Sequence, residues 1–158
     1  MQYAILIAPF VTLGVAIFFI VVNVIKTDRE KIFEIIHDGA EAVVAEDFET
    51  LDEIISEKYY GSYADTKKSL FSRTRRELDT ADITSVNIRR IDIEFENKIR
   101  AKVIVRFEAS GYITDTIYNK IPFKGFAVTD EERLDEAHLV CAKENNLWRV
   151  IFFELRLQ

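Results

Sequence analysis

The sequence predicts an α+β fold in which N-terminal helices pack on a curved antiparallel sheet, preceded by one transmembrane helix. Three observations lead to this prediction. Residues 3–25 carry no formal charge, residues 28–79 repeat apolar side chains at helical spacing, and the chain from residue 83 onward alternates apolar and polar side chains. We therefore divide the chain into an anchor, residues 1–26, and one α+β domain, residues 27–158.

The apolar run from Tyr3 to Ile25 is long enough to cross a bilayer and to contact membrane lipid. As a helix it would span roughly 35 Å, against a hydrocarbon thickness of about 30 Å. A cleaved signal peptide would need basic residues ahead of a shorter apolar run, and none precede this one. Lys26, Arg29 and Lys31 follow the span, so the positive-inside rule predicts a cytoplasmic domain.

Three helices are predicted next. Thr27 and Glu30 match the capping box that starts a helix, although the pattern also allows the first helix to run on from the membrane span. A second helix begins near Asp47 and continues until the tyrosine-rich stretch 59–63 breaks it. A third helix follows a cap at Thr66.

A hairpin follows, because the side-chain period changes from 3.6 to 2. The alternation fixes its register around a three-residue loop, 97–99, since a shift by one residue would turn every apolar group to the wrong face. The predicted pairs are Glu96 with Arg100, Glu94 with Lys102, Ile93 with Val103 and Ile91 with Val105.

The chain ends in a second predicted hairpin. Its strands, 138–143 and 147–157, join through Asn145-Asn146, because asparagine tolerates the positive φ of a two-residue turn. The last strand is apolar on both faces, so we expect it to lie centrally in the sheet or to be covered on both sides. Between the hairpins, residues 112–126 can hold one more strand. The predicted pairs are Cys141 with Val150 and Leu139 with Phe152.

This order of elements resembles the nuclear-transport-factor-2-like (NTF2-like, or SnoaL-like) superfamily of cystatin-like cones. The resemblance lies in a small-acidic turn and short helix at 45–51 leading to 55–59, and in a Trp-basic-aliphatic run within 142–150. It implies relatives that include ketosteroid isomerases, dehydratases, ligand binders and silent assembly domains. A single span before such a fold also resembles Mce-associated membrane scaffolds. The domain of those proteins lies outside the cytoplasm, which conflicts with the cytoplasmic side predicted from the basic residues after the span.

Candidate acid–base residues are His138, Asp65 and Glu154. His138 could act as a general base if its strand face lines the cone, and is otherwise an ordinary strand-end histidine. Glu154 either points out of the sheet or is buried with a raised pKa. Asp65 follows the tyrosine-rich stretch. Aromatic side chains that could line a pocket or an interface are Tyr59, Tyr60, Tyr63, Trp148 and Phe152.

The sequence does not predict a nucleic-acid partner, a metal site or a cofactor. The domain of 27–158 carries a net charge of −7, which disfavours nucleic acid. A lone cysteine, no Cys-x-x-Cys and no paired histidines at ligand spacing predict no metal site. Without a Gly-rich phosphate loop or a Gly-x-Ser-x-Gly elbow, we expect no cofactor. The basic cluster Lys67, Lys68, Arg73, Arg75 and Arg76 is either a solvated helix face or a contact for anionic headgroups.

The sequence favours a membrane-anchored, non-enzymatic scaffold or interaction module that binds a protein partner or forms a homodimer through the sheet face. The alternative is an acid–base enzyme or a binder of a small apolar molecule in the cone cavity. An enclosed cavity with converging ionisable groups would favour the alternative, and a filled cone with an exposed apolar sheet patch would favour the scaffold.

Overall fold

The computed structural model describes residues 26–114, 120–124 and 134–156. That part of the chain forms α1 (Asp28–Ala45), α2 (Phe48–Ile54), β1 (Ile55–Tyr60), α3 (Lys67–Leu78), β2 (Ala81–Asn97), β3 (Arg100–Thr114), β4 (Lys120–Lys124), β5 (Asp135–Glu144) and β6 (Leu147–Arg156). The strands lie in the order β1-β6-β5-β3-β2, and β4 pairs with the end of β3. The sheet is mixed rather than wholly antiparallel, because β1 runs parallel to β6.

All three predicted helix starts are confirmed by their caps. The Thr27 hydroxyl accepts a hydrogen bond from the backbone N–H of Glu30 at 3.3 Å. In return, the Glu30 carboxylate accepts one from the backbone N–H of Thr27 at 2.6 Å. Asp47 accepts two backbone N–H groups of α2, and Thr66 forms a capping box with Ser69. Thr27 has an extended backbone, so α1 begins there with its own cap.

The second helix is shorter than predicted, because the chain changes from helix to strand at Ile55. Ile55 pairs with Val150 and Tyr60 pairs with Phe152, which makes β1 an edge strand of the sheet. β-Branched and aromatic side chains suit such a strand. The partner strand, β6, lies about ninety residues further along the chain. The local pattern alone therefore could not distinguish β1 from a continuing helix.

The register of the β2–β3 hairpin is confirmed through its body, where Ile91 pairs with Val105, Ile93 with Val103 and Glu94 with Lys102. The predicted three-residue loop is wrong. Asn97 pairs directly with Arg100 across a two-residue turn, and a bulge after Phe95 absorbs the difference. Glu96 therefore has no partner directly opposite in the register, but its carboxylate still lies 2.8 Å from the Arg100 guanidinium.

The β5–β6 hairpin turns at Asn145 and Asn146, whose φ angles are 49° and 65°, as expected for this turn. Cys141 pairs with Val150, as predicted, and β6 lies centrally between β1 and β5. The predicted pair of Leu139 with Phe152 is wrong by one residue. The register shifts between Val140 and Cys141, so Val140 pairs with Phe152 and Leu139 with Phe153.

The core lies between α1 and α2 on one side and a single face of the sheet on the other. We call this the inner face and the opposite one the outer face. Alternate side chains of β3 are buried on the inner face, as the period of two requires. The core comprises Ile32, Ile36, Ile54, Ala101, Val103, Val105, Phe107, Ala109, Ala137, Cys141, Trp148 and Val150.

Asp28, in the first turn of α1, ties the helix to the last hairpin. Its Oδ1 accepts from the Lys143 ammonium at 2.8 Å and from the Trp148 indole N–H at 3.0 Å. These two hydrogen bonds, chiefly the one from Lys143, hold the pKa of Asp28 below its usual 3.8. The indole itself is buried, with its ring edge against Phe95. One carboxylate thus fixes where α1 crosses the sheet.

Among the described residues, no helix is both long and apolar enough to cross a membrane. The predicted span, residues 3–25, lies outside those residues. The anchor therefore stays a prediction from the sequence.

We predict that Asp28→Asn lowers the free energy of unfolding at pH 7 by about 1 kcal/mol, because hydrogen bonds to a charged group are lost at a one-third exposed site. The folded pKa is lowered, so this stabilisation is present above pH 3.8 and is lost as pH falls below it. Urea unfolding of the full chain in mild detergent, at pH 7 and in acid, measures both effects. Asp38→Asn, an exposed change on the same helix, is the matched control. Equal losses in the two variants would contradict the role of Asp28.

Candidate functional site

The outer face of the sheet carries a chain of charged side chains across β2, β3 and β5. Arg106 lies at its centre. Its Nη1 donates to Asp92 on β2 at 3.0 Å, and its Nε donates to Glu136 on β5 at 2.8 Å. The second carboxylate oxygen of Glu136 lies 3.2 Å from His138 Nε2. The face therefore presents both signs of charge in fixed positions.

Beside these charges lies an apolar strip. Val140 and Phe152 pair across β5 and β6, and the Phe152 ring packs 5.4 Å from the ring of Tyr60 on the edge strand β1. Ile104 continues the strip onto β3, directly opposite His138. Ile104, Val140 and Phe152 of this strip, with Asp92, His138 and Glu154, line an open hollow of about 520 Å³ on the outer face.

Two of the three candidate acid–base residues meet in this hollow. His138 and Glu154 face each other across β5 and β6, and the Glu154 carboxylate also pairs with Arg156 at 3.0 Å. His138 therefore does not line the cone. Its predicted role as general base required that its strand face line the cone, and this requirement is not met. Its side chain has the parity of Ile104 and Lys102, away from α1 and α2. Glu154 points out of the sheet, the first of its two expected orientations.

The electrostatics of the group favour a fixed ion-pair network. The hydrogen bond from His138, and next the guanidinium of Arg106, hold the pKa of Glu136 below its usual range. A carboxylate kept ionised in this way is a poor proton donor at neutral pH. It is instead suited to fix the positions of neighbouring cations, and so to set the charge pattern of the face.

Asp65 lies apart from this group. It is exposed in the loop before α3, and nothing brings it to His138 or Glu154. The three tyrosines also separate. Tyr59 is buried, and burial raises its pKa to about 12. Tyr63 is fixed by Glu77 and by the guanidinium of Arg73, 4.0 Å from its ring, whereas Tyr60 alone joins the outer face.

The interior of the cone is filled by the protein's own side chains. Trp148 is only 3% exposed, and Phe107 and Val103 are buried beside the helices. The buried thiol of Cys141, whose pKa burial raises to about 12, lies in the same cluster. This packing leaves the inner face as a core, and the hollow described above lies on the other side of the sheet.

The basic cluster divides into structural and exposed members. Lys67 is buried, and its ammonium contacts Glu57 at 2.7 Å and Asp52 at 2.9 Å. The arginines 73 and 75 cover aromatic rings. Lys68 and Arg76 are exposed beside a shallow hollow of about 670 Å³ on α3. Among the described residues, no group of three histidine, cysteine or carboxylate side chains is placed to bind a metal.

Sequence reasoning missed Arg106, Glu136 and Asp92, the residues that organise the outer face. The alternation of β3 did place Arg106 on the polar face. The contact itself depends on β3 pairing with β5, thirty residues away, and with β2 on its other side. The predicted hairpin register places Asp92 diagonal to Arg106, but no local pattern indicates that Glu136 joins them.

Comparison with known proteins shows the fold alone. No protein-family model and no curated protein sequence matches the chain. A proposed scytalone dehydratase from Novosphingobium aromaticivorans is similar, with a TM-score of 0.68 and 15% identity over 83% of this chain and 84% of that one. An NTF2-like protein of unknown function in nutrient uptake, from Rhodospirillum rubrum, has a TM-score of 0.61 and 11% identity over 80% and 98%.

A third similar structure is a proposed calcium/calmodulin-dependent protein kinase II association domain from Xanthomonas campestris. Its TM-score is 0.62, with 8% identity over 84% of this chain and 89% of that chain. The predicted α+β cone of the NTF2-like and cystatin-like kind is thereby confirmed. Since all three identities lie at or below 15%, activity and partners remain open to proposal.

We predict that His138→Val raises the pKa of Glu136 toward its ordinary 4.5, because the variant removes the hydrogen bond that lowers this pKa most. Carboxyl carbon NMR titration of the full chain in micelles measures the shift. The lowered pKa of Glu96, set by Lys102 and Arg100, is the internal control and should not move. An unchanged Glu136 would show that Arg106 alone holds its charge.

Proposed function

We propose that this chain is a membrane-anchored, non-enzymatic interaction domain that associates with a second copy through the outer face of its sheet. The observation that carries the proposal is the filled interior. Trp148, Phe107 and Val103 are buried in one core cluster on the inner face, whereas a small-molecule site needs an open concave cavity. The charged side chains, His138 and the apolar strip lie instead on the outer face, where another protein surface can cover them.

The composition of the outer face supports self-association. A two-fold interface presents the same patch twice, so the patch must be complementary to itself. The basic residues Arg106 and Arg156 lie on this face beside the acidic residues Glu136, Glu154 and Asp92. On a facing copy, each arginine can therefore meet a carboxylate and each carboxylate an arginine. The aromatic and aliphatic strip next to them is typical of the dry centre of an interface.

The size of the face supports it as well. Five adjacent strands, about 4.8 Å apart and about ten residues long at 3.3 Å per residue, give a surface on the order of 700 Å². Stable interfaces bury about 800 Å² per partner. A weak interface would also suffice, because two copies anchored in one membrane have a high effective concentration.

The name of the third structural neighbour supports an assembly role, since that protein is described as an association domain. The name of the first, a dehydratase, supports the alternative of an acid–base enzyme. Among the residues that the structure describes, the pair of His138 and Glu136 is the arrangement that favours that alternative. It lies on an open sheet face rather than in a closed cavity, so water is not excluded from it.

We expect Phe152→Asp to weaken self-association by about 30-fold or more, because it places a charge at the centre of the apolar strip. Sedimentation of the full chain in detergent micelles measures the dissociation constant. Ile104→Lys, on the neighbouring part of the strip, should have the same effect. Ile113→Asp, an equally apolar but distant exposed site, should have none. Dimers of unchanged stability in both outer-face variants, with circular dichroism showing an intact fold, would rule out this interface.

The anchor at 3–25 and the cytoplasmic side are part of the same proposal, supported by the bases Lys26, Arg29 and Lys31 after the span. We expect a C-terminal alkaline phosphatase fusion to be inactive, since that enzyme works only outside the cytoplasm. A C-terminal fluorescent-protein fusion that matures in the cytoplasm is the matched control. An active phosphatase fusion would place the domain on the opposite side.

A further inference from the structure

Three segments meet at one end of the domain: the start of α1, the turn between β2 and β3, and the turn between β5 and β6. Asp28 binds the Lys143 ammonium and the Trp148 indole, which fixes α1 beside the second turn. The backbone N–H of Lys143 donates to the carbonyl of Ile99 at 2.8 Å, which joins the second turn to the first. These contacts hold the three segments as one rigid end.

This end exposes large apolar side chains. Ile99 is 61% exposed, Leu147 is 58% exposed and Phe95 is 38% exposed. Lys98 lies in the turn beside Ile99 and is also exposed. We call these four residues the tip. Turns in water favour glycine, asparagine and other polar residues. Ile99 lies in the first turn and Leu147 is the first residue after the second, so the two form an apolar cluster typical of a surface that another partner covers.

The tip is close to where the predicted span ends. Ile25 is the last residue of the span and Asp28 follows three residues later, so their Cα atoms are at most roughly 11 Å apart in an extended chain. The headgroup layer of a bilayer is about 5–8 Å deep on each side. Asp28 contacts the residue next to Leu147, so both turns lie within reach of that layer.

We infer that the tip rests in the headgroup layer of the bilayer, with Ile99 and Leu147 inserted at the boundary of the acyl chains. This inference rests on the proposed anchor. The composition fits the occupant, since apolar side chains enter this boundary while Lys98 reaches lipid phosphates. The strands β2, β3, β5 and β6 then run away from the membrane, and the outer face stands sideways, toward a second copy anchored in the same bilayer.

Nitroxide labels on single cysteines test this contact in the full chain, reconstituted in vesicles of phosphatidylcholine and phosphatidylglycerol. The labelled variants are Ile99→Cys and Leu147→Cys, with Ile113→Cys as the matched control. Residue 113 is also exposed, but lies at the other end of β3, roughly 45 Å away along an extended strand. Native Cys141 is fully buried with a thiol pKa of about 12, so it does not compete for the label at neutral pH.

We expect labels at 99 and 147 to collide with oxygen, which concentrates in lipid, and to lose their collisions with a water-soluble nickel chelate. The label at 113 should show the reverse. If all three collide equally with nickel while the chain withstands a carbonate wash, the tip does not touch the bilayer, although the anchor stands. Protection of 99 and 147 from both reagents would assign the tip to another protein surface and overturn the inference. Release of the chain by carbonate would overturn the anchor and the inference together.

Discussion

The Asp28 carboxylate joins α1 to the last hairpin, and the position of this helix on the sheet depends on it. It lies in the first turn of α1 and binds side chains of both strands of the last hairpin, Lys143 and Trp148. The helix is thereby fixed across the sheet at an angle that buries Ile32 and Ile36 against β3 and β6. The same contact seats the Trp148 indole in the core. A chain whose tryptophan pointed elsewhere would leave an opening where this one has packed side chains.

A filled interior determines where function can lie. The alternation of β3 sends every second side chain into the core, and the others, with Arg106 at their centre, form a surface that no described helix covers. Hydrogen bonds to Asp92 and Glu136 hold that guanidinium in place, so the charge pattern is preorganised rather than flexible. Preorganised charges beside an aromatic strip suit recognition of a protein surface better than turnover of a small molecule, which needs a dry enclosure.

The correct predictions concern structures that are determined by residues close together in the sequence. The Thr27 cap, the Asn145-Asn146 turn and the body of the β2–β3 hairpin depend on neighbours in the chain, and the structure confirms them. The predictions failed where the deciding partner is distant or where a bulge intervenes. The strand β1 exists because β6 pairs with it, and the register of Phe152 moves by one residue because the pairing shifts between Val140 and Cys141. His138 and Glu154, two of the predicted candidates, lie opposite each other in the sheet, but the side of the sheet on which they lie depends on the packing of the helices.

The central claim is that a second copy covers the outer face of the sheet. Photo-cross-linking from an unnatural amino acid at Val140, in the full chain in its native membrane, tests this most directly, because Val140 lies between the charge network and Phe152. A dimer through this face should give an adduct of twice the mass of the chain, with the cross-link mapped to β5 or β6 of the second copy. A probe at Ile113 should give no such adduct. Cross-links from Val140 only to lipid, or to a different protein, would contradict the account.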